Sequence, residues 1–235
     1  MIEKQMFFEK IINFLDNNYH HKRITKFLNQ YKILALIDVG AHKGEFIKNF
    51  LKGKNKLQKI YAFEPQKNIF QILDSKFKND KKIIKIQSAL DIKNSRKILY
   101  INKLSSTSTL SKINERSFFL KFKNILTNSK NNFVNSYKVR TITLDNFLKN
   151  KNLKNILLKI DVEGNEFNVL KGARTQIKNI NMVLIEKQFF SLHKNYNYTL
   201  SHNFLIKNKF KLVKNFKFPL FNFEDKLYMN TSIYK

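Results

Sequence analysis

Three carboxylates fall close together in Lys159-Ile-Asp-Val-Glu-Gly-Asn-Glu166: Asp161, Glu163 and Glu166. Like charges at this spacing repel, which is costly without a cation, a proton or a substrate to offset it. One of the three can cap a helix, but capping does not account for all of them. The segment follows an apolar run, so Asp161 stands at a strand end, where a carboxylate can do chemistry. Glu186 ends another apolar run and can join the same cleft.

A second set of residues suits ligand binding. The chain has only five glycines in 235 residues, and two of them frame Asp38-Val-Gly-Ala-His-Lys-Gly44. Gly40 lets the chain turn sharply and brings backbone N–H groups near a ligand, while Gly44 permits close packing at the start of a helix. Ala41 and His42 lie between them, and Asp38 can bind a ligand ammonium group directly or through water. The loop is not Gly-x-Gly-x-x-Gly, and no phosphate-cradling Gly-x-x-x-x-Gly-Lys-Ser/Thr is present. About 20 residues on, Glu64 stands at the next strand tip, where a carboxylate accepts from both ribose hydroxyls of a nucleoside cofactor. Pro65 stops that strand. The alternative for Glu64 is a helix N-terminal carboxylate favoured by the macrodipole. Ser88 and Ala89 would lie along the purine, although small residues are common at strand ends.

These residues need strands and helices to position them. Short apolar runs at residues 33–39, 59–63, 83–87, 156–160 and 182–185 read as buried parallel strands, alternating with helical stripes such as Phe46, Ile47 and Phe50. Strand–helix alternation implies right-handed crossovers and one parallel α/β sheet. Residues 1–32 read as an N-terminal helical extension, with Ile24, Phe27 and Leu28 on one face; its alternative is a membrane-surface or partner helix. Residues 33–235 form the main domain. Residues 91–143 break the rhythm and read as an insertion, with strands at 97–102 and 137–143 around a polar loop. The chain closes with a strand pair at 210–213 and 228–234.

Composition narrows the classes. The hydrophobic content of 43% fits a folded core. There is no cysteine, which excludes disulfides, Cys-ligated zinc and thiol nucleophiles and fits a reducing, cytoplasmic setting. No signal peptide and no run of about 18 apolar residues is read. Lys and Arg number 45 against 17 Asp and Glu, for a net charge of +28. That balance points either to nucleic acid or an anionic membrane, or to compositional bias. The basic residues are scattered rather than clustered, which favours bias, so no specific nucleic-acid partner is expected.

The chain resembles the FkbM family of S-adenosylmethionine-dependent methyltransferases. The matching segments are Ile37-Asp-Val-Gly-Ala-His-Lys-Gly44, Ala62-Phe-Glu-Pro65, Thr143-Leu-Asp-Asn-Phe147, Leu158-Lys-Ile-Asp-Val-Glu-Gly-Asn-Glu166, Val169-Leu-Lys-Gly-Ala173 and Leu184-Ile-Glu186. The resemblance implies a class I methyltransferase sheet of order 3-2-1-4-5-7-6 with helices on both faces. It also implies O-methylation of a hydroxyl on a sugar, glycan or small natural product, with S-adenosylmethionine as cofactor. His42 stands where the family usually has Asn, and Ser105 to Ser108 resembles a Ser-rich loop that touches substrate. On this reading Asp161 orients or deprotonates the acceptor hydroxyl, with Glu163, Glu186 and His193 as assistants, His193 being otherwise an ordinary packing histidine. A divalent cation such as magnesium held by Asp161 and its neighbours is an alternative. The rival function is an RNA-modifying methyltransferase, prompted by the charge.

Overall fold

The apolar runs become strands because β-branched and aliphatic residues covered on both sides need no polar face. A computed structural model describes residues 14–102, 108–111, 133–189, 193, 196–219 and 223–234. In chain order, a π-helical turn at Asp16–His20 leads into α1 (His21–Leu28), β1 (Ala35–Val39), α2 (Glu45–Leu51), β2 (Lys59–Phe63), α3 (Lys67–Lys76) and β3 (Ile83–Ile86). Next come β4 (Ala89–Leu90), β5 (Ser95–Asn102), β6 (Phe133–Ile142), α4 (Leu144–Leu148), β7 (Ile156–Ile160) and α5 (Glu166–Lys171). The chain finishes with β8 (Met182–Gln188), α6 (Tyr198–Lys207), β9 (Phe210–Lys217) and β10 (Phe223–Asn230).

The main sheet has seven strands in the order β3-β2-β1-β7-β8-β10-β9. β4, β5 and β6 build a separate three-stranded sheet. Numbered over all ten strands the order therefore differs from the expected one; with those three set aside it reads 3-2-1-4-5-7-6. β1, β2, β3, β7 and β8 pair in parallel, and β10 runs antiparallel between β8 and β9. The two strands read in the insertion are present and longer than expected: β5 and β6 pair antiparallel over most of their length, and β4 adds two residues beside β6. The final strand pair is shifted from the sequence reading, because β10 starts at Phe223 and ends at Asn230. Residues 1–13 of the N-terminal reading and Ser105, Ser106 and Thr107 of the Ser-rich loop lie outside the described residues.

The period of two along each strand divides the core between two faces. Ile37, Val39, Tyr61, Phe63, Leu158, Ile160 and Ile185 pack with Leu144, Val169, Leu170 and Leu205 on the side of α4, α5 and α6. Leu36, Ile60, Leu157 and Leu184 pack with Ile24, Leu28, Phe46, Phe50 and Leu73 on the side of α1, α2 and α3. Asp38, Lys159 and Glu186 follow Leu36, Leu157 and Leu184 by two residues, so all three side chains belong to the α1–α2 face at the C-terminal edge of the sheet.

Candidate active site

At that edge a cleft of about 580 Å³, counting its open mouth, is lined by Val39, Gly40, His42, Phe63, Glu64, Ser88, Leu99, Thr109, Asp161 and Glu163 among others. Its floor begins at the turn after β1. Gly40 has φ 81°, and a Cβ there would sit 1.8 Å from the Asp161 carbonyl oxygen, so only glycine lets the turn pass the end of β7. The Gly40 and Ala41 N–H groups donate to the Phe63 carbonyl at 3.1 and 2.9 Å, tying the turn to the end of β2. Gly44, at φ 75°, starts α2 against the Phe77 ring and Leu73.

Glu64 projects from the end of β2. The His42 N–H donates to its Oε2 at 3.0 Å and the Gln66 N–H to its Oε1 at 2.8 Å. Burial pushes its carboxyl up to about 7, against the pull of those two backbone donors. Each oxygen keeps a second lone pair, which is what a ligand diol needs.

The acids at the ends of β7 and β8 are held differently. Single oxygens of Asp161, Glu163 and Glu186 lie within 4.8 Å of one another. Lys159 Nζ donates to Asp161 Oδ2 at 3.0 Å and reaches Asp38 Oδ1 at 3.4 Å. Gln188 Nε2 donates to Glu163 Oε2 at 2.7 Å and to Glu186 Oε1 at 3.0 Å. Burial works against the charge of Lys159, but Asp161, Asp38 and Asp225 outweigh it and hold its ammonium above the usual lysine value. Burial raises the Asp38 carboxyl, with Lys159 pulling the other way. Glu186 is raised well above the usual range by burial and then by Asp161 and Glu163. Glu166, read with these acids from the sequence, instead accepts from the Gly164 N–H at 2.9 Å through Oε1 at the start of α5. The donors already within the cluster are an ammonium and an amide, which offset these acids without a cation.

Of the residues singled out in the sequence, Gly40, His42, Glu64, Pro65, Ser88, Ala89, Asp161 and Glu163 line the cleft, and Glu186 joins the acid cluster behind it. Asp38, Ala41 and Gly44 do not line it. Asp38 is fully buried and turned to Lys159, Ala41 is buried against the α1–α2 core, and Gly44 serves packing. Asp38 is therefore set beneath the cleft floor rather than open to a ligand ammonium. His193 is buried, its ring against Gly164 and its Nε2 3.5 Å from Glu163 Oε2. Sequence reasoning missed the wall from the second sheet: Leu99, Thr109 and Leu110 line the cleft, and Ser108 beside them is the described part of the Ser-rich loop. Tyr100 and Thr109 form a β-bridge, and the Thr109 hydroxyl donates to the Glu163 carbonyl. Gln66 and Gln188 were also missed.

The π-helical turn and α1 of the N-terminal segment belong to the helical layer on the α1–α2 face. His20 Nε2 lies 2.7 Å from Asp225 Oδ2, and His21 Nε2 lies 3.4 Å from Asp16 Oδ2. Burial, then the charges of Asp161 and Asp225, push the Asp16 carboxyl up to about 8. Burial and then Lys159 lower His21 to about 3. Glu64, Asp161 and Glu163 line the cleft, and Glu186 stands beside the last two.

Among the described residues no helix is long and apolar enough to cross a membrane. The model of the methyltransferase FkbM domain matches residues 38–212. No curated protein sequence matches the chain. Among solved structures, an FkbM methyltransferase from Methylobacillus flagellatus KT is similar, with a TM-score of 0.54 and 15% identity over 84% of this chain and 43% of that one. The chain thus spans less than half the length of that protein. The putative methyltransferase yhhF from Escherichia coli gives a TM-score of 0.49 at 8% identity, covering 89% of this chain and 84% of that one. M. capricolum TrmK in complex with S-adenosyl-homocysteine gives 0.47 at 12% identity, covering 86% of this chain and 65% of that one.

Proposed function

The chain belongs to the FkbM family of methyltransferases, and from that premise we propose that it transfers a methyl group from S-adenosylmethionine to a hydroxyl of a sugar, glycan or small natural product. Residues 33–235 are the catalytic unit on this reading, and residues 1–32 an N-terminal extension whose described part, from residue 14 on, packs beside α2. The observation that carries it is the division of the edge into a cleft at Glu64, whose acid is held by backbone donors, and an acid cluster at Asp161.

The residues present fit the cofactor. Gly40 removes the Cβ that would block the approach to the end of β7, and Glu64 offers a carboxylate whose protein donors leave lone pairs over. Phe63, Leu90 and Leu99 supply apolar surface for a purine, with Ser88 and Ala89 beside them. His42 contributes its backbone N–H to Glu64, so replacing the family's usual Asn changes a side chain without removing that bond. When bound, S-adenosylmethionine supplies an electrophilic methyl group on a good leaving group.

The protein's own share is positioning and proton handling. Asp161 and Glu163 line the cleft and can accept a hydrogen bond from an acceptor hydroxyl, fixing its oxygen and taking its proton as the new C–O bond forms. Lys159 holds Asp161 in place through the bond to Oδ2. The concentration of carboxylates at the edge favours a neutral or cationic acceptor over a phosphodiester, because a polyanion would approach like charge.

The RNA-modifying alternative rests on the +28 charge alone. The test is incubation with methyl-labelled S-adenosylmethionine and two acceptor pools, a panel of polyhydroxy compounds and total RNA. Label in the polyhydroxy pool supports the proposal; label in RNA that falls steeply with salt reverses it. Asp161→Asn is expected to abolish transfer while leaving cofactor affinity within about threefold, and full activity of that variant removes Asp161 from the mechanism.

A further inference from the structure

Gln188 ends β8, and nothing in the sequence marks it. Its side chain shares a sheet face with Glu186 two residues earlier, which brings Nε2 to 3.0 Å from Glu186 Oε1. The same nitrogen is 2.7 Å from Glu163 Oε2, across from the β7–α5 turn. We propose that Gln188 is a positioning residue of the methyl-transfer centre: its amide, wedged between Glu163 and Glu186, aims the Glu163 carboxylate into the cleft and offsets both acids. This rests on the reading of Asp161 and Glu163 as the residues that meet the acceptor.

Three observations support it. The first is donor chemistry. A side-chain NH₂ has two N–H groups and no lone pair to offer, so Glu163 Oε2 and Glu186 Oε1 must both act as acceptors. A proton retained in this crowded cluster is therefore excluded from those two atoms, and Glu163 Oε1 is the oxygen left to turn toward the acceptor. The second is backbone conformation. Glu163 has φ 53°, a left-handed value that a non-glycine residue keeps only when its surroundings hold it there. The Thr109 hydroxyl on its carbonyl and Gln188 on its carboxylate provide two of those restraints. The third is the anchoring of Gln188 itself, whose backbone N–H donates to the Tyr196 hydroxyl at 2.8 Å. The strand end is thereby fixed independently of the amide. Lys159 serves Asp161, so the three clustered acids are covered by two side-chain donors, with Gln188 shared between Glu163 and Glu186.

The experiment uses the full chain carrying ¹³C-labelled glutamate carboxyls, titrated by NMR, in the wild type and in Gln188→Met, which keeps the side-chain length and loses both donors. Gln188→Ala is the second variant, and S-adenosylhomocysteine affinity by calorimetry reports folding and cofactor binding in all three. In both variants the Glu163 and Glu186 signals are expected to titrate about one pH unit higher than in the wild type, as loss of a donor to a carboxylate requires. S-adenosylhomocysteine affinity is expected to stay within about twofold. Wild-type titration curves at Glu163 and Glu186 in either variant overturn the proposal, since a merely structural glutamine would leave them in place. Failure of the wild type to bind S-adenosylhomocysteine is a separate result: it sinks the cofactor reading, while the titration still decides the role of Gln188.

Discussion

Glu64, at the end of β2, receives its two hydrogen bonds from the backbone N–H groups of His42 and Gln66. Asp161, Glu163 and Glu186, at the ends of β7 and β8, receive theirs from the side chains of Lys159 and Gln188. The two halves of one sheet edge thus hold their acids by different means. A carboxylate held by the backbone is placed wherever the turns are placed, and its environment changes only if the chain path changes. A cluster held by side chains can be retuned one substitution at a time on an unchanged fold. The first arrangement suits a ligand common to a whole family, and the second suits an acceptor that varies.

The comparison breaks most easily at the turn that joins the halves. Gly40→Val places a Cβ against the Asp161 carbonyl at a positive φ, so stability is expected to fall by at least ~4 kcal/mol, with cofactor binding lost. Urea unfolding and calorimetry check both effects, and near-normal stability would mean the turn can open. Next in size is Lys159→Met, which leaves the fully buried Asp38 without its cation. A loss of about 3 kcal/mol is expected, and most of it should return in the double variant with Asp38→Asn. If the double variant is no better than the single one, the Lys159–Asp38 pair is not the cause.

The pH dependence separates the halves further. The Glu64 carboxyl is raised from 4.5 to about 7 in the folded chain. The folded state therefore binds more protons than the unfolded one between those values. The contribution is fully present below 4.5 and is lost as pH rises through 7. Between pH 5 and 8 the wild type is expected to lose about 2 kcal/mol more stability than Glu64→Gln. Equal slopes in urea titrations would show that Glu64 titrates normally. The smallest effect belongs to the wall from the second sheet. Thr109→Val removes the hydroxyl bonded to the Glu163 carbonyl and should cost about 1 kcal/mol, measured as a lowered melting temperature with cofactor affinity nearly unchanged.

Much of this fold was legible because buried parallel strands are short apolar runs. β2 and β7 fall where the runs at Lys59–Phe63 and Ile156–Ile160 place them. β10 was misplaced because it begins with Phe223-Glu-Asp, and charged residues read as loop. Here Asp225 is buried against His20 and Glu224 is paired with Lys187, contacts between segments that no local pattern announces. The second sheet was half-visible: the runs in β5 and β6 were readable, while two-residue β4 was not. At the site, glycine scarcity and acid density located the turn and the cluster. The orientation of Asp38 could have been deduced from its alternation with Leu36, which sends it to the helix-covered face. Gln188 offered no such signal, since a glutamine at a strand end looks like any solvated residue until its two partners are brought beside it.

On the proposed reading the backbone-held carboxylate of Glu64 binds the cofactor. Calorimetric titration of S-adenosylhomocysteine into the wild type and Glu64→Ala tests it most directly. Loss of two hydrogen bonds to a carboxylate predicts affinity weakened by about 30-fold or more in the variant, with the fold retained. Equal affinity in the two proteins would contradict it and move the cofactor elsewhere on the sheet edge.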